Sequence, residues 1–417
     1  MILHVDGDAF FASCEIAQNE RFRGKPVVAG ADRGIALAVS YVAKDLGISR
    51  GMTVREIREN FPQVIITQSH YGIYRIYSLR MFQIVRRYAP IVEEYSVDEC
   101  FADLSQAKSD PTGAISDPIE YTASLIKRDL ERDLGMTFSI GVAPTKVLAK
   151  VASKWNKPSG FTIITPEKIP EFLSKIPAGK IWGIGPSSSA NLMKYGVKTA
   201  GELAEKPEWW ILEHLSKPYV EIWHELNGRS VMRVREGSHA KYKSVMKTAT
   251  FRPITKDPKS LLAELARNTE RACAKLRRHN LAAQEVSFYL KSQEFRYYST
   301  EFKLPVATNL PTEILNLIEK NLHRVYSKRD FRATGVILRN ICPADSFQQD
   351  LFGKTTDVHG LSTLYKTIDH INHSQKKRTI FLARSLMSKK HSVRKIHERS
   401  RDARFPLLNI PYWGEST

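Results

Sequence analysis

Three acidic residues, Asp6, Asp98 and Glu99, are where chemistry can start in this chain. Asp6 follows the short apolar run Ile2 to Val5, which reads as a strand. Asp98 and Glu99 stand between Val97 and Cys100, at the charged tip of a hairpin expected over Ile91 to Leu104. If the two strands are neighbours in one sheet, the three carboxylates converge at its rim. Their mutual repulsion is then costly without cations, and a metal site is the natural use. Magnesium takes oxygen ligands. Two such ions about 3.5–4 Å apart clamp the attacking and leaving oxygens of a phosphoryl transfer, for instance to a 3′-hydroxyl. Taken singly, an Asp at a strand end is a turn former and an Asp-Glu pair at a tip is solvated surface. Neither piece alone marks a site, and the rest of the chain decides between these uses.

The elements that must position these residues alternate between strand and helix. Ala9 to Ala17 is helix-compatible, Pro26 to Ala29 is strand-like, and Gly72 to Tyr88 has helical spacing with Ile76, Leu79, Phe82 and Ile84 as buried candidates. Thr137 to Val142 reads as a strand, Pro144 to Trp155 as a helix with Pro in its first turn, and Phe161 to Ile164 as a closing strand. Without regular βαβ spacing, this predicts an α+β sheet domain. Pro166 to Arg235 is mostly helical, and Gly237 to Lys243 has the composition of a linker. Lys243 to Cys342 predicts a second α+β module, with strands at Val286 to Leu290 and Ala333 to Leu338 and helices at Leu261 to His279 and Thr312 to Tyr326. From Pro343 onward the chain reads as partly disordered and rich in basic residues.

Composition narrows the class of partner. The 417 residues carry 63 Lys and Arg against 44 Asp and Glu, a net charge of +19, which points to a polyanion. A solvated basic surface would give the same number. The four cysteines are far apart, so neither a zinc knuckle nor a disulfide frame is indicated. The first residues lack a charged n-region, and no run of about 18 apolar residues occurs, so neither a signal peptide nor a membrane span is expected. A cytoplasmic location follows.

The motifs resemble one family. His4-Val5-Asp6-Gly7-Asp8-Ala9-Phe10-Phe11 through Glu15 is similar to the opening motif of Y-family DNA polymerases. Tyr95-Ser96-Val97-Asp98-Glu99-Cys100-Phe101 is similar to their second metal motif. Ser139 to Val142, Thr145-Lys146, Leu148-Ala149-Lys150 and Lys157-Pro158 resemble their third block. The resemblance runs from Met1 to about Phe352 and implies a right-hand polymerase. Its expected parts are a ferredoxin-like palm with small fingers (1–165, fingers about 18–75), a helix-hairpin-helix thumb (166–236), an α+β little finger (243–342) and a basic tail (343–417).

Residue by residue, the resemblance implies that Asp6, Asp98, Glu99 and the carbonyl of Gly7 bind two Mg²⁺ ions, with Mn²⁺ able to fit the same oxygens. Gly7 departs from the larger residue usual there, which keeps the carbonyl and loosens the backbone. Asp8 is expected to cap the following helix. Phe11 matches the steric gate beneath the incoming sugar, and Phe10, beside it in the nucleotide-binding motif, is expected to pack its side chain in the core. Tyr41, Lys44 and Lys157 match the triphosphate contacts; Lys44 stands where many relatives have Arg, its lysine being similar to the UmuC branch, and grips phosphate as a point charge. Gly183 and Gly185, Lys243, Ser244, Arg332 and Thr334 are candidate DNA contacts. Gln348, Leu351 and Phe352 resemble the peptide that holds a sliding clamp. The small residues Gly7, Ala9, Gly30 and Ala36 suggest loose contact with the base pair.

The implied partners are primer-template DNA, deoxynucleoside triphosphates, the clamp and, as in the UmuC branch, accessory subunits; no membrane is implied. The implied activity is low-fidelity translesion synthesis. Two alternatives stay open at this point: a catalytically inactive family member acting as an adaptor, and another palm-type enzyme such as a nucleotide cyclase.

Overall fold

The computed structural model describes residues 1–236, 242–344, 358–375 and 378–387. Two units, Met1–His239 and Ala240–Thr417, each hold their own core. Strands of the first unit are β1 (Ile2–Gly7), β2 (Val27–Ala29), β3 (Ala38–Val39), β4 (Ile65–Thr67), β5 (Val92–Glu94), β6 (Glu99–Asp103), β7 (Phe138–Ala143) and β8 (Phe161–Ile163). Five of them form one sheet in the order β5-β6-β1-β7-β8. β1 runs antiparallel to both β6 and β7, and β8 lies parallel to β7 at the edge. Helix Tyr71–Arg86 precedes β5, and helix Pro118–Leu134 links β6 to β7. That order is a ferredoxin-like plan with one strand added. The stretch between helix Phe10–Gln18 and helix Tyr71–Arg86 carries the small sheet β3-β2-β4 over its own core of Val28, Val39, Ile48 and Ile57.

Strand alternation sorts side chains to the two faces of the large sheet. Leu3, Val5, Cys100 and Ile140 pack with Tyr74, Phe82, Ile126 and Leu130 on one face. Ile2 and Phe101 meet Val147 and Leu148 of helix Lys146–Trp155 on the other. That helix is capped by Thr145, whose hydroxyl accepts from Leu148 N at 3.3 Å. Pro144 therefore sits before the cap and does not open the first turn. The helix lies so close to the sheet that a Cβ on Gly141 would fall 2.2 Å from both Ala149 O and Ser153 N.

The helical stretch from Pro166 shares this second core through Leu173, Ile181, Leu192 and Trp223. Two buried carboxylates fasten it. Glu93 pairs with Lys146 at 2.7 Å and accepts from Arg235 N at 2.9 Å. Glu225 accepts from Val147 N at 3.2 Å and from Val231 and Met232 N at 2.8 Å.

Within helix Tyr71–Arg86, Phe82 and Ile84 are buried as expected, but Ile76 and Leu79 are 38% and 44% exposed. The buried stripe runs instead through Tyr74, Tyr77, Met81 and Val85. Tyr74 and Tyr77 can go inside because their hydroxyls donate to Glu15 at 2.7 Å and accept from Gln18 at 2.8 Å. Hydrophobic counting passes over such polar-tipped rings.

The second unit is a four-stranded antiparallel sheet in the order β11-β10-β12-β9, with β9 (Ser244–Thr255), β10 (Leu281–Ser292), β11 (Tyr297–Thr308) and β12 (Phe331–Pro343). Helices Pro258–Arg278 and Pro311–Asn321 cover one face. β9 and β11 are absent from the sequence expectation; both are edge strands, with mixed polar composition. After Pro343, where the sequence reads as partly disordered, the described residues include one helix that was not expected. Helix Val358–Ser374 docks on the unit, where Asp369 accepts from Arg277 Nε at 2.7 Å and Nη2 at 2.9 Å, and Tyr365 is buried. Arg378 beyond it pairs with Glu270. Gln348, Leu351 and Phe352 lie outside the described residues. No helix among the described residues is long and apolar enough to cross a membrane.

Gly141→Ala should cost roughly 3 kcal/mol or more, because the clash is with backbone that cannot repack. Urea unfolding of the variant checks it; an unchanged midpoint contradicts the tight sheet–helix contact.

Candidate active site

Pairing between β1 and β6 decides where the acidic residues go. Asp6 lies directly across from Glu99, and Gly7 N donates to Asp98 O at 2.9 Å. All three carboxylates therefore sit at the same end of two neighbouring strands. By strand alternation Asp6 and Glu99 share the face of His4, the face that helix Lys146–Trp155 covers.

Each carboxylate has a partner of its own. Asp6 pairs with Lys157 at 2.5 Å, and the same ammonium is 3.4 Å from Asp8. Glu99 pairs with Lys150 and meets His4 Nε2 at 3.2 Å, while His4 Nδ1 reaches Ser153 Oγ at 2.7 Å. Asp98 accepts from the Ser96 hydroxyl. Burial pushes Asp6 up to about 6, against the pull of Lys157, and the charges of Glu99 and Asp98 add to the rise. Burial works the same way on Glu99, but His4 and Lys150 outweigh it and hold that carboxyl at about 2. Burial lowers His4 itself to about 4.

Among the described residues, no three His, Cys, Asp or Glu side chains stand close enough to enclose a metal as they are placed. The partners just named explain this: the carboxylates face lysine, histidine and hydroxyl groups. Chemically the set still fits a hard divalent cation. Its donors are all oxygen, and the burial that keeps Asp6 near 6, with the charges of Glu99 and Asp98 adding to it, is not offset by Lys157 alone.

The remaining expected residues fall in several places. Asp8 does not cap the helix: Ala9 does, at φ 47°, with no side-chain cap. Asp8 is buried and instead accepts from Ser139 Oγ at 2.9 Å and Ser159 N at 2.7 Å, tying the end of β1 to β7 and to the loop bearing Lys157. Gly7 has a packing reason, since its Cβ would lie 2.6 Å from the Phe10 ring. Phe10 is core, as expected. Phe11 is half-buried, stacked on Tyr74 with centroids 4.3 Å apart and planes at 12°.

Tyr41 opens a short helix capped by Ser40, and the Lys44 ammonium lies 3.8 Å from its ring centre. Burial, then Asp8 and Asp6, push the Tyr41 hydroxyl up to about 12. Burial and the charge of Lys157 hold Lys44 below its usual range. Tyr41, Lys44 and Lys157 thus gather beside the same carboxylates. Gly30 and Ala36 are buried within the small sheet's module, and a Cβ on Gly30 would meet Ile35 O at 2.2 Å. Packing accounts for their size, so they are no sign of a loose nucleotide pocket.

Gly183 turns at φ 93° and Gly185 caps helix Pro186–Lys194. In the second unit Lys243 and Ser244 are exposed at the start of β9, and the Arg332 guanidinium lies 4.2 Å over the Phe295 ring. Thr334 is not available to DNA. It is fully buried beneath helix Pro258–Arg278, where Asn268 Nδ2 reaches its hydroxyl and carbonyl at 3.3 Å. Sequence reasoning gave no role to His4, Lys150 or Ser153. The one signal was lysine recurring at every fourth residue, Lys146 and Lys150, on the helix that faces the site.

Comparison with known proteins agrees with this geometry. Residues 5–154 match the impB/mucB/samB family, and residues 242–351 match that family's C-terminal domain. DNA polymerase IV of Methanoculleus marisnigri is 32% identical over 323 residues, covering 75% of this chain and 87% of the relative. DNA polymerase IV of Listeria monocytogenes is 31% identical over 349 residues, covering 82% and 95%. In fold, a Y-family DNA polymerase chimera built on Dbh aligns with a TM-score of 0.69 at 24% identity, over 82% of this chain and 98% of that one. The DinB of Sulfolobus solfataricus aligns at 0.51 with the same identity and coverage. Fold and matches together define the class, a right-hand, DNA-directed DNA polymerase of the Y family. Within it, the chain belongs to the impB/mucB/samB family.

Glu15 accepts from both Tyr74 Oη at 2.7 Å and His70 Nδ1 at 2.8 Å. That bond, against partial burial, raises the His70 imidazole above its ordinary 6.5. A raised folded value means the stabilisation is full below about pH 6.5 and fades as pH rises through the folded pKa. Glu15→Gln should flatten that dependence in urea midpoints measured across neutral pH; a slope equal to the parent's contradicts it.

Proposed function

We propose that this chain extends a DNA primer along its template by nucleotidyl transfer centred on Asp6, Asp98 and Glu99. Translesion synthesis is the setting in which the family works, and low fidelity comes with it. One observation supports the catalytic assignment above all: the register that sets Asp6 across from Glu99 and bonds Gly7 to Asp98. Lys157, Lys44 and Tyr41 stand next to it.

Y-family polymerases are metal-dependent. Two Mg²⁺, or Mn²⁺ in their place, would be held by Asp6, Asp98, Glu99 and the Gly7 carbonyl. When bound, such ions lower the pKa of a primer hydroxyl and balance charge on leaving pyrophosphate. The chain's own groups do the rest. Lys157, now on Asp6 and Asp8, and Lys44 bring positive charge to a triphosphate. Tyr41, whose hydroxyl stays protonated at neutral pH, can donate to a phosphate oxygen. Glu99 is ionised throughout the working range. The Phe11 ring, covered on one face, presents the other to the sugar.

We assign the palm to the five-stranded sheet, the fingers to the β3-β2-β4 module and the thumb to the helical stretch with the Gly183–Gly185 turn. The little finger is then the four-stranded sheet, with Lys243, Ser244 and Arg332 as phosphate contacts. Gln348, Leu351 and Phe352 are the proposed hold on a sliding clamp, by an apolar pocket and a polar anchor. Nothing favours an inactive adaptor: every acidic residue of the centre is present.

Asp98→Ala should lower primer extension by roughly a thousandfold or more, the scale of a lost charge-stabilising group, with folding retained by circular dichroism. Near-parental extension by the folded variant refutes the assignment. Deleting residues 348–352 should reduce product length only when clamp is supplied; equal shortening without clamp removes the clamp reading.

A further inference from the structure

Phe11 is not a free ring. It lies almost parallel to Tyr74 at 4.3 Å and meets the edge of Tyr71 at 5.8 Å. Tyr74 is 1% exposed, and its hydroxyl donates to Glu15, itself buried, at 2.7 Å. Glu15 stands four residues after Phe11, on the same stripe of helix Phe10–Gln18. The same oxygen of Glu15 meets His70, the residue that caps helix Tyr71–Arg86. One turn further along, Gln18 donates to Tyr77 at 2.8 Å. The two helices are thus laced together directly behind the Phe11 ring. Asp32 holds the backbone and hydroxyl of Ser69 at 3.0 and 2.8 Å, which fixes the chain leading into the second helix.

A steric filter works only if it cannot retreat. A phenyl ring on a helix has other rotamers open to it. Here the ring that would have to move aside is Tyr74, held at its far end by a buried carboxylate. From this we infer that Tyr74 and Glu15 are specificity-determining positioning residues. They act through Phe11 by keeping its ring in place against the sugar, so that the stringency of deoxyribose selection depends on the stacked pair and its anchor. The inference rests on the reading of Phe11 as the sugar filter.

The experiment is single-nucleotide primer extension with full-length protein, measuring kcat/KM for a deoxynucleotide and the matching ribonucleotide. Its variants are Phe11→Ala, Tyr74→Ala, Tyr74→Phe, Glu15→Gln and the double variant F11A/Y74A. Tyr74→Ala should lower the deoxy-to-ribo ratio by roughly three- to tenfold, the factor carried by an aromatic pair of this kind. Tyr74→Phe, which keeps the ring and loses the anchor, should fall between parent and Tyr74→Ala, as should Glu15→Gln. Adding Tyr74→Ala to Phe11→Ala should change the ratio no further, because the route through Phe11 is gone. A purely structural role would lower both substrates' kcat/KM together and leave the ratio alone; that result overturns the inference. If Phe11→Ala itself leaves the ratio unchanged, the filter reading fails first and takes this one with it. Should Tyr74→Ala not fold, Tyr74→Phe and Glu15→Gln decide: parental ratios in both overturn the inference.

Discussion

The antiparallel register between β1 and β6 is the constraint on which the rest depends. A strand alternates its side chains with period two, so a slip by one residue would send Asp6 and Glu99 to opposite faces. The register is held by what each face buries. Leu3, Val5, Cys100 and Ala102 belong to one core, and Ile2 and Phe101 to the other. Two unlike cores, one on each side of the sheet, make every alternative pairing expensive, and the three carboxylates are carried along by the apolar residues of those cores.

Bringing acidic groups together then requires positive charge nearby, and its source explains the shape of the site. Lys150 answers Glu99 and Lys157 answers Asp6, while His4, held near 4 by burial, meets Glu99 as a neutral hydrogen-bond partner. Lys150 comes from helix Lys146–Trp155, which can approach only because Gly141 has no side chain. The Lys150 ammonium also lies 4.5 Å from the Tyr95 ring centre and 5.3 Å from that of Trp182, and Trp182 Nε1 donates to Tyr95 Oη at 2.9 Å. Glu99 is therefore coupled, by one lysine, to Trp182 in the helical stretch that begins at Pro166. Charge compensation at the centre and the packing of the neighbouring helices are one problem with one solution.

This hierarchy also explains what could be read beforehand. Asp6, Asp98 and Glu99 were legible because the motifs around them are local and dense. The α+β class was legible because its cores are built from ordinary apolar strands, while the ferredoxin-like plan came with the family resemblance. The errors have a common cause: they concern residues whose fate is set by partners distant in sequence. Asp8 looked like a cap until Ser139 and Ser159 were seen to claim its oxygens. Thr334 was a candidate through the resemblance, beside Arg332, but it shares the strand face of Val336 and Leu338, which the helices cover. His4 and Lys150 stood inside the motifs without a role of their own, since their partner, Glu99, is distant in sequence from both.

The C-terminal addition obeys the same rules from a different starting point. The family match ends at residue 351, and helix Val358–Ser374 lies beyond it. Seventeen residues are marginal as a free helix in water, so the element needs a surface. It takes one from helix Pro258–Arg278 through the Arg277–Asp369 fork and the buried Tyr365. The segment after it reaches both helices of the unit, with Arg378 on Glu270 and Arg384 bonded to Asn316 at 2.9 Å. All of these contacts fall on the helical side of the sheet. The opposite side keeps Tyr289, Lys291 and Tyr297 clear of them, with Gly335 leaving room for the Tyr289 ring to lie against the strand. An extension that docked on that side would compete with whatever the basic, aromatic surface serves, whereas one placed on the helices lengthens the chain at no cost to it.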